Sequence, residues 1–487
     1  MGKIRNRILI DCNTLIDRVV ILKNEDIEHL FIERRNFSTN VGNIYKGKIT
    51  KILSGINAAF VDLGEEKKGF LPVEEFEESY IEETVEEKKV NIYSKNLSYK
   101  IGEEVLVQAV KPSFEEKGVK LTTQISIPGR YLVIVPFSYK RGISKKIENT
   151  YIKKHLFQIL ETIIPKNLGF IIRTASQTAK EKYILKEAKY LLNQWSKIYR
   201  KTKKFPAPIK VWEELPLPLR IVRDYLSENI EEILVNEETS FKKLRFYAKS
   251  FVPEILSKIN YYSEKTPIFV KFKIEEKIKK FLENRVELPS GGDIFIEEGE
   301  TLTAVDVNTG KSRKETIEET IFSTNLEAAE EIPKQIRVRN LSGLIIIDFI
   351  DMKKESQRKK ILDVLWKNLE DDKARIKILS ISKLGLVEMS RERIGHSLSQ
   401  VLMEKCEKCS GTGKVEKIEW ISIELKNQLF SKLKEFPNKK IVVILSEELF
   451  EFLKRNQILK LNFSERKKVE FHLSNSLEKG KFEVIVP

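Results

Sequence analysis

Thr303-Ala-Val-Asp-Val-Asn-Thr-Gly310 is an apolar, β-type run that stops at a carboxylate, and Gly343-Leu-Ile-Ile-Ile-Asp-Phe-Ile-Asp351 does the same further along the chain. A carboxylate at the end of a buried strand is costly unless something cationic meets it. Asp306 and Asn308 are two apart, so on a strand their side chains share one face. Asp348 joins them if the two strands are neighbours in one sheet. Two carboxylates and an amide oxygen suit a hard cation such as magnesium, which takes about six oxygen ligands and leaves several of them to water or substrate phosphate. A lone strand-end aspartate reads more simply as a turn or helix cap. The pair with Asn308 reads as a metal cage.

At 487 residues the chain should hold several domains, because single cores stop growing near ~250 residues. Lys+Arg (87) exceed Asp+Glu (72), giving a formal charge of +15 and a pI near 9.3. That surplus points to a polyanionic partner, RNA or DNA, or to a Lys/Glu-rich surface set by genome composition or growth temperature. Met1-Gly-Lys-Ile-Arg leads into a short strand rather than an apolar leader. No apolar run approaches the ~20 residues of a spanning helix, and three cysteines leave no room for a disulfide framework. A cytoplasmic protein is expected.

The spacing predicts N-terminal strands at Arg7–Ile10 and Arg18–Leu22, then a small barrel over 41–72 with further strands at Glu104–Ala109 and Val119–Thr123. The acidic run Glu74–Lys89 reads as an insertion in that barrel. A mixed segment follows: strand Tyr131–Pro136, helix Lys145–Thr162, strand Phe170–Arg173 and helix Gln177–Lys201. Pro206, Pro208, Pro216 and Pro218 mark a boundary. Residues 220–283 alternate helix and strand. Residues 284–400 read as strand–strand–helix–strand–helix–strand, an α/β domain. Pro333 should kink or end the helix Ile317–Arg337. Gly411 and Gly413 close a hinge, and 414–487 form a last small α/β unit.

Three further clusters carry chemistry. Asn43-Ile-Tyr-Lys-Gly-Lys48, Ala58-Ala-Phe-Val-Asp62 and Gly69-Phe-Leu-Pro72 mix basic and aromatic residues on short strands. Phe60 and Phe70 can stack bases while Lys46, Lys48 and Lys117 meet phosphates, or both rings can be core. Cys406-Glu-Lys-Cys409-Ser-Gly-Thr-Gly413 is a C-x₂-C knuckle followed by glycines, a pattern that half of a four-ligand zinc site shares with redox pairs and vestigial knuckles. Cys12 lies in an apolar strand and reads as a small core residue, so the other half should come from a second chain. Arg173 and Thr174 end a strand near Gly129, offering a guanidinium fork, a hydroxyl and backbone amides to a phosphate, or simply a surface pair.

Taken in order, these motifs resemble the ribonuclease E/G family of bacterial endoribonucleases. The matching run also includes Leu121-Thr-Thr, Ile172-Arg-Thr, Ser290-Gly-Gly, Asn325-Leu-Glu-Ala-Ala and Leu386-Val-Glu-Met-Ser-Arg. The barrel pattern resembles an S1-type OB-fold. The resemblance implies a multidomain α/β protein: an RNase H-like subdomain in two parts (1–38 and 220–283), an inserted S1-type OB barrel (39–125), a 5′-sensor subdomain (126–219), a DNase I-like catalytic subdomain (284–400), a zinc-link (401–413) and a small C-terminal domain (414–487). It implies catalytic magnesium on Asp306 and Asp348, with Asn308 orienting the attacking water or the scissile phosphate. It places a 5′-monophosphate pocket on Gly129, Val133, Arg173, Thr174 and Arg375, with Arg375 holding Arg173 and Thr174. The RNA channel falls on Phe60, Phe70, Lys111 and Lys117. Zinc on Cys406 and Cys409 would join two subunits, as a dimer or a dimer of dimers. The expected activity is magnesium-dependent cleavage of single-stranded, A/U-rich RNA, stimulated by a 5′ monophosphate, in rRNA maturation and mRNA decay. The chain looks like the family's short G type, with a short E type still open. A non-catalytic RNA-binding regulator and a DNA-acting nuclease are the rival expectations.

Overall fold

The computed structural model describes residues 6–35, 41–72, 100–112, 118–227, 229–312, 314, 316–370, 372–382, 385–409, 411–474 and 481–487. The chain forms two compact units, Met1–Leu402 and Met403–Pro487. Among the described residues no helix is long and apolar enough to cross a membrane.

Among its described residues the first unit contains four sheets. One is five-stranded, in the order Ile259–Tyr261, Ile230–Val235, Asn6–Cys12, Ile16–Lys23, Asp26–Arg34. Asn6–Cys12 pairs antiparallel with Ile16–Lys23 and parallel with Ile230–Val235, so two stretches remote in sequence share one sheet. The strand Asp26–Arg34 lies within residues 1–38, which read as β-strands in the sequence, although its bounds were not singled out. Its apolar residues are interrupted by Glu28, His29 and Glu33, and it follows a tight turn with positive φ at Asn24 and Glu25.

The expected barrel is present and closed. Ile44–Leu53, Ala58–Asp62, Gly69–Pro72, Lys120–Thr122 and Glu104–Lys111 pair in that order, and the last returns to Ile44–Leu53. Tyr45, Ile49, Val61, Leu71, Val107 and Leu121 fill it. Closure demands a glycine at 47, where a Cβ would fall 2.4 Å from Val61 Cγ1. Ile209–Trp212 adds to the outside of Ile44–Leu53. The acidic run Glu74–Lys89 lies outside the described residues.

The third sheet runs Arg141–Ile143, Gly169–Ile172, Leu132–Val135, Ile127–Pro128, against helices Thr150–Glu161 and Glu181–Lys204. The first of these helices begins later than its pattern suggests because Asn149 caps it, accepting from Tyr151 N and Ile152 N.

The fourth sheet has six strands: Arg285–Glu287, Asp293–Glu298, Leu302–Asn308, Gly343–Asp348, Leu386–Arg391, Ile376–Ile381. Helices Ile317–Arg339 and Glu355–Leu369 contribute to its core. Leu302–Asn308 and Gly343–Asp348 are parallel, which requires a crossover, and Ile317–Arg339 supplies it. That helix runs on through Pro333, so the proline does not end it. Burying Ala329, Ile332 and Ile336 completely offsets the ~3 kcal/mol an internal proline costs. A capping box between Thr316 and Glu319 fixes its start, and Asn340 in the left-handed region ends it. At the far end of the sheet the buried Arg391 guanidinium forks onto Asp372 (Nε to Oδ2 2.9 Å) and donates to Leu341 O at 2.8 Å.

In the second unit, Ile441–Leu445 is the central strand, parallel to Val469–Leu473 and antiparallel to Phe482–Ile485. Helices Ile418–Glu435 and Glu447–Arg455 share its apolar core. This is the small α/β unit the pattern predicts.

Candidate active site and phosphate-facing surfaces

Asp306 and Asp348 are direct partners in the parallel ladder. Their flanking residues Val305, Val307, Ile345 and Ile347 turn inward, none more than 4% exposed, so both carboxylates stand together on the opposite, open face. Aligned residues of neighbouring strands lie roughly 5 Å apart, close enough to bind one ion. Asn308, on the same face as Asp306, donates from Nδ2 to Asp306 Oδ2 at 2.9 Å. Partial burial, then the charges of Asp306 and Asp351, push the Asp348 carboxyl above the ordinary carboxylate range. A cation here would relieve that repulsion.

Among the described residues no group of three or more His, Cys, Asp or Glu is arranged to hold a metal. The candidate donors on this open face are Asp306, Asp348 and Asn308, two carboxylates and an amide. Such a set fits magnesium, which completes its shell with water and phosphate oxygens, better than a metal that needs a full protein cage.

A buried amide braces the site. Asn325 is 0% exposed on the crossover helix. Its Nδ2 donates to Ile350 O (2.7 Å) and its Oδ1 accepts from Ile350 N (3.1 Å), clamping the backbone two residues past Asp348. Asn325 belongs to a motif quoted above, but nothing local in the sequence shows that its partner is residue 350.

On the barrel, Phe60 and Phe70 are cross-strand neighbours, their ring centroids 6.0 Å apart and edge to face. Both are half-exposed, so neither is core. Phe60 opens onto a depression of about 340 Å³ lined by Thr50, Lys51, Lys67, Lys68 and Gly118. Three of those residues are lysines that the sequence reading did not single out. Lys46 is engaged, pairing with Glu104 at 2.6 Å and donating to Phe205 O at 3.0 Å. Lys111 is half-buried at the end of its strand. Lys117 lies outside the described residues.

In the third sheet, Leu132–Val135 and Gly169–Ile172 are adjacent, with Val133 opposite Ile171 and Arg173 N donating to Tyr131 O at 2.8 Å. Arg173 Nη1 donates to Gly129 O (2.5 Å) and to Asp224 Oδ1 (2.7 Å). Burial opposes a charge on Asp224, yet Arg223 and Arg173 together hold its carboxyl well below the usual range. Thr174 Oγ1 lies 2.8 Å from Ser144 Oγ. Gly129 is required: a Cβ there would fall 2.5 Å from the Glu187 carboxyl carbon. Glu187, only 2% exposed, accepts from Arg130 N and Tyr131 N at 2.7 Å each. Burial raises its pKa. A glutamate on the apolar face of a helix was a legible signal of this clamp. Asp224 carried no such signal. Arg375 meets Glu392 at 3.9 Å, and Lys373, two residues earlier, lies 3.6 Å over the Tyr225 ring.

In the second unit, the backbone N–H groups of Gly411 and Gly413, then the Cys406 thiol, hold the Cys409 thiol below its ordinary value. A thiol favoured as thiolate suits a zinc ligand, and Cys406 is the knuckle's second sulfur. Cys12 is buried, and burial pushes its thiol up to about 12, as befits a core residue.

Comparison with known proteins adds the following. The model of the Ribonuclease E/G family matches residues 126–394, and that of the S1 RNA binding domain matches residues 38–123. Ribonuclease G of Haemophilus influenzae is 35% identical over 439 residues, covering 90% of this chain and 89% of that protein. Ribonuclease G of Escherichia coli strain K12 is 34% identical over 440 residues, 90% of each. Ribonuclease E of Haemophilus influenzae is 36% identical over 440 residues, covering 90% of this chain but 47% of that longer protein.

Two outcomes follow from the site's geometry. Asn325→Ala strands the Ile350 N–H and carbonyl, so it should cost about 1–3 kcal/mol of stability; an unchanged denaturation midpoint would show the clamp to be idle. Asp306→Asn removes the neighbouring charge, so the Asp348 carboxyl should titrate at lower pH. Carbon-13 carboxyl NMR reads that shift, and an unmoved midpoint would mean that the two groups share no field.

Proposed function

The chain belongs to the ribonuclease E/G family, and from that premise we propose that it is an endoribonuclease that hydrolyses single-stranded RNA at Asp306, Asn308 and Asp348. The observation that carries this reading is the in-register pair of carboxylates on one open sheet face. Asp306 and Asp348 would hold a magnesium ion, and Asn308, already bonded to Asp306, would orient the attacking water or the scissile phosphate. Magnesium bound there would neutralise phosphate charge and make a water more acidic. Water adds to phosphorus, the bond from phosphorus to the 3′ oxygen breaks, and that oxygen leaves with a proton. Products carry a 5′ phosphate and a 3′ hydroxyl. No histidine lies in either carboxylate motif, which disfavours a cyclic-phosphate route.

The barrel presents the substrate. Phe60 and Phe70 offer two faces for stacking, with Lys111, Lys117 and the lysines around the depression for phosphates. The Gly129, Val133, Arg173, Thr174 and Arg375 region would bind a 5′ monophosphate, whose dianionic end suits the Arg173 fork. Cys406 and Cys409 would share a zinc ion with a second subunit, giving a dimer or a dimer of dimers. The five-stranded sheet corresponds to an RNase H-like subdomain in two parts and the six-stranded sheet to a DNase I-like catalytic subdomain. A/U-rich rRNA precursors and mRNA in the cytoplasm are the substrates this reading implies.

The test is one cleavage series on two oligoribonucleotides that differ only in a 5′ monophosphate or hydroxyl, with magnesium or chelator. Wild type should make new 5′-phosphate ends only with magnesium, and faster on the monophosphate. Asp306→Asn should lose about 10³-fold in rate, equivalent to about 4 kcal/mol, with RNA affinity nearly unchanged. Binding without cleavage by wild type would favour a non-catalytic RNA-binding regulator.

A further inference from the structure

Helix Glu181–Lys204 buries Ile184, Ala188, Leu191 and Ile198, and Trp195, partly packed against the same core, begins an aromatic row that runs out to solvent. Trp195, half-buried, meets Phe137 edge to face with centroids 5.5 Å apart and Tyr199 at 6.1 Å. Phe137 is 55% exposed and Tyr199 50% exposed. Aromatic rings so open to water lose stabilisation that burial would give.

The row is flanked by cations. Lys203 Nζ lies 5.5 Å over the Tyr199 ring, and Lys204 Nζ lies 5.3 Å over the exposed ring of Phe205. Lys197, Arg200 and Lys201 crowd the same half of the helix, and no acidic residue follows Glu187 within it. A solvated Lys/Glu surface would alternate signs along the helix. This one is of a single sign and interleaved with rings, the composition of a surface for single-stranded nucleic acid.

The row also leads to the barrel. Phe205 O accepts from Lys46 Nζ (3.0 Å) on the barrel strand Ile44–Leu53, and Ala207 N donates to Glu104 Oε1 (2.9 Å) on Glu104–Lys111. The helix end is thus bonded to two barrel strands.

We propose that Phe137, Trp195 and Tyr199, with the lysines beside them, form a second binding surface for single-stranded RNA that extends the barrel's surface along this helix. The proposal rests on the RNA-binding reading of the barrel. It adds a separate stretch of contact at which bases stack on the rings and phosphates meet Lys203 and Lys204. Stacking of this kind contributes about 1–3 kcal/mol per base and is blind to sequence, so the surface would lengthen the RNA held without selecting its sequence. An OB-fold alone covers about 4–16 nucleotides; short RNA should leave the helix untouched and longer RNA should reach it.

Fluorescence anisotropy of labelled oligouridylates of about 6 and about 20 nucleotides, lengths chosen around that OB-fold span, tests it in chelator, where cleavage is silent. The double variant Phe137→Ser/Tyr199→Ser changes two exposed rings, and a thermal midpoint confirms that it folds. It should weaken the longer RNA about 10-fold or more, the loss of roughly one stacked base, and leave the shorter one within about 2-fold. Lys203→Gln/Lys204→Gln should reduce the salt slope for the longer RNA by about 1.4, two phosphate contacts on a single strand. Unchanged affinity of the longer RNA in both variants overturns the proposal. So does an equal loss at both lengths, or a change in self-association without a change in RNA affinity, which would make the row an interface between copies. Phe60→Ser, on the barrel, separates the two readings. If it abolishes binding while the helix variants do nothing, only the helix surface fails; if wild type binds neither length, the RNA reading itself fails.

Discussion

The parallel ladder that aligns Asp306 with Asp348 sets two like charges side by side on one face of a sheet, and much of the surrounding structure exists to hold them there. Such an arrangement resists formation. Burial and two acidic neighbours already disfavour the charged form of Asp348. What opposes that resistance is apolar: Val305, Val307, Ile345 and Ile347 on the reverse side of the same strands are packed under the crossover helix. The alternation of the strand turns that burial into a placement for the carboxylates.

Apart from the Asn308–Asp306 bond, the polar bracing around this pair is long-range. Asn325 reaches from the helix to the backbone of Ile350. Arg391 and Asp372 lock the neighbouring edge of the sheet with both side chains under 5% exposed. The Arg173 region follows the same design. Arg173, Asp224, Arg223 and Glu214 form one chain of alternating charges, with Arg223 pairing Glu214 at 2.9 Å. Removing any one partner would leave an uncompensated charge in a partly buried setting. A phosphate arriving at Arg173 therefore meets a guanidinium already oriented by Asp224 and the Gly129 carbonyl, rather than a free surface arginine.

How far the residues could be read in advance depended on how local their information was. The two strand ends, the barrel, the strands beside Arg173 and the small last unit are encoded in short runs, and the structure contains them. The bounds of Asp26–Arg34 were not legible because half its residues are charged or polar and its turn uses positive φ at two non-glycine residues. Pro333 does not end its helix, because burial that only the tertiary structure reveals holds the helix together there. Side chains such as Asn325, Asp224, Lys67 and Lys68 matter through partners distant in sequence, so no spacing pattern announces them. Glu187 is different: a carboxylate on an apolar helix face is a local signal, although it was not singled out in the sequence.

The most direct test of the central claim is manganese binding followed by electron paramagnetic resonance, with Mn²⁺ standing in for magnesium in the RNA-free protein. The account predicts one ion per chain whose affinity falls at least about 10-fold, or about 1.4 kcal/mol, in both Asp306→Asn and Asp348→Asn, and which Cys409→Ser leaves unchanged. Binding of equal strength in wild type and both aspartate variants would contradict it.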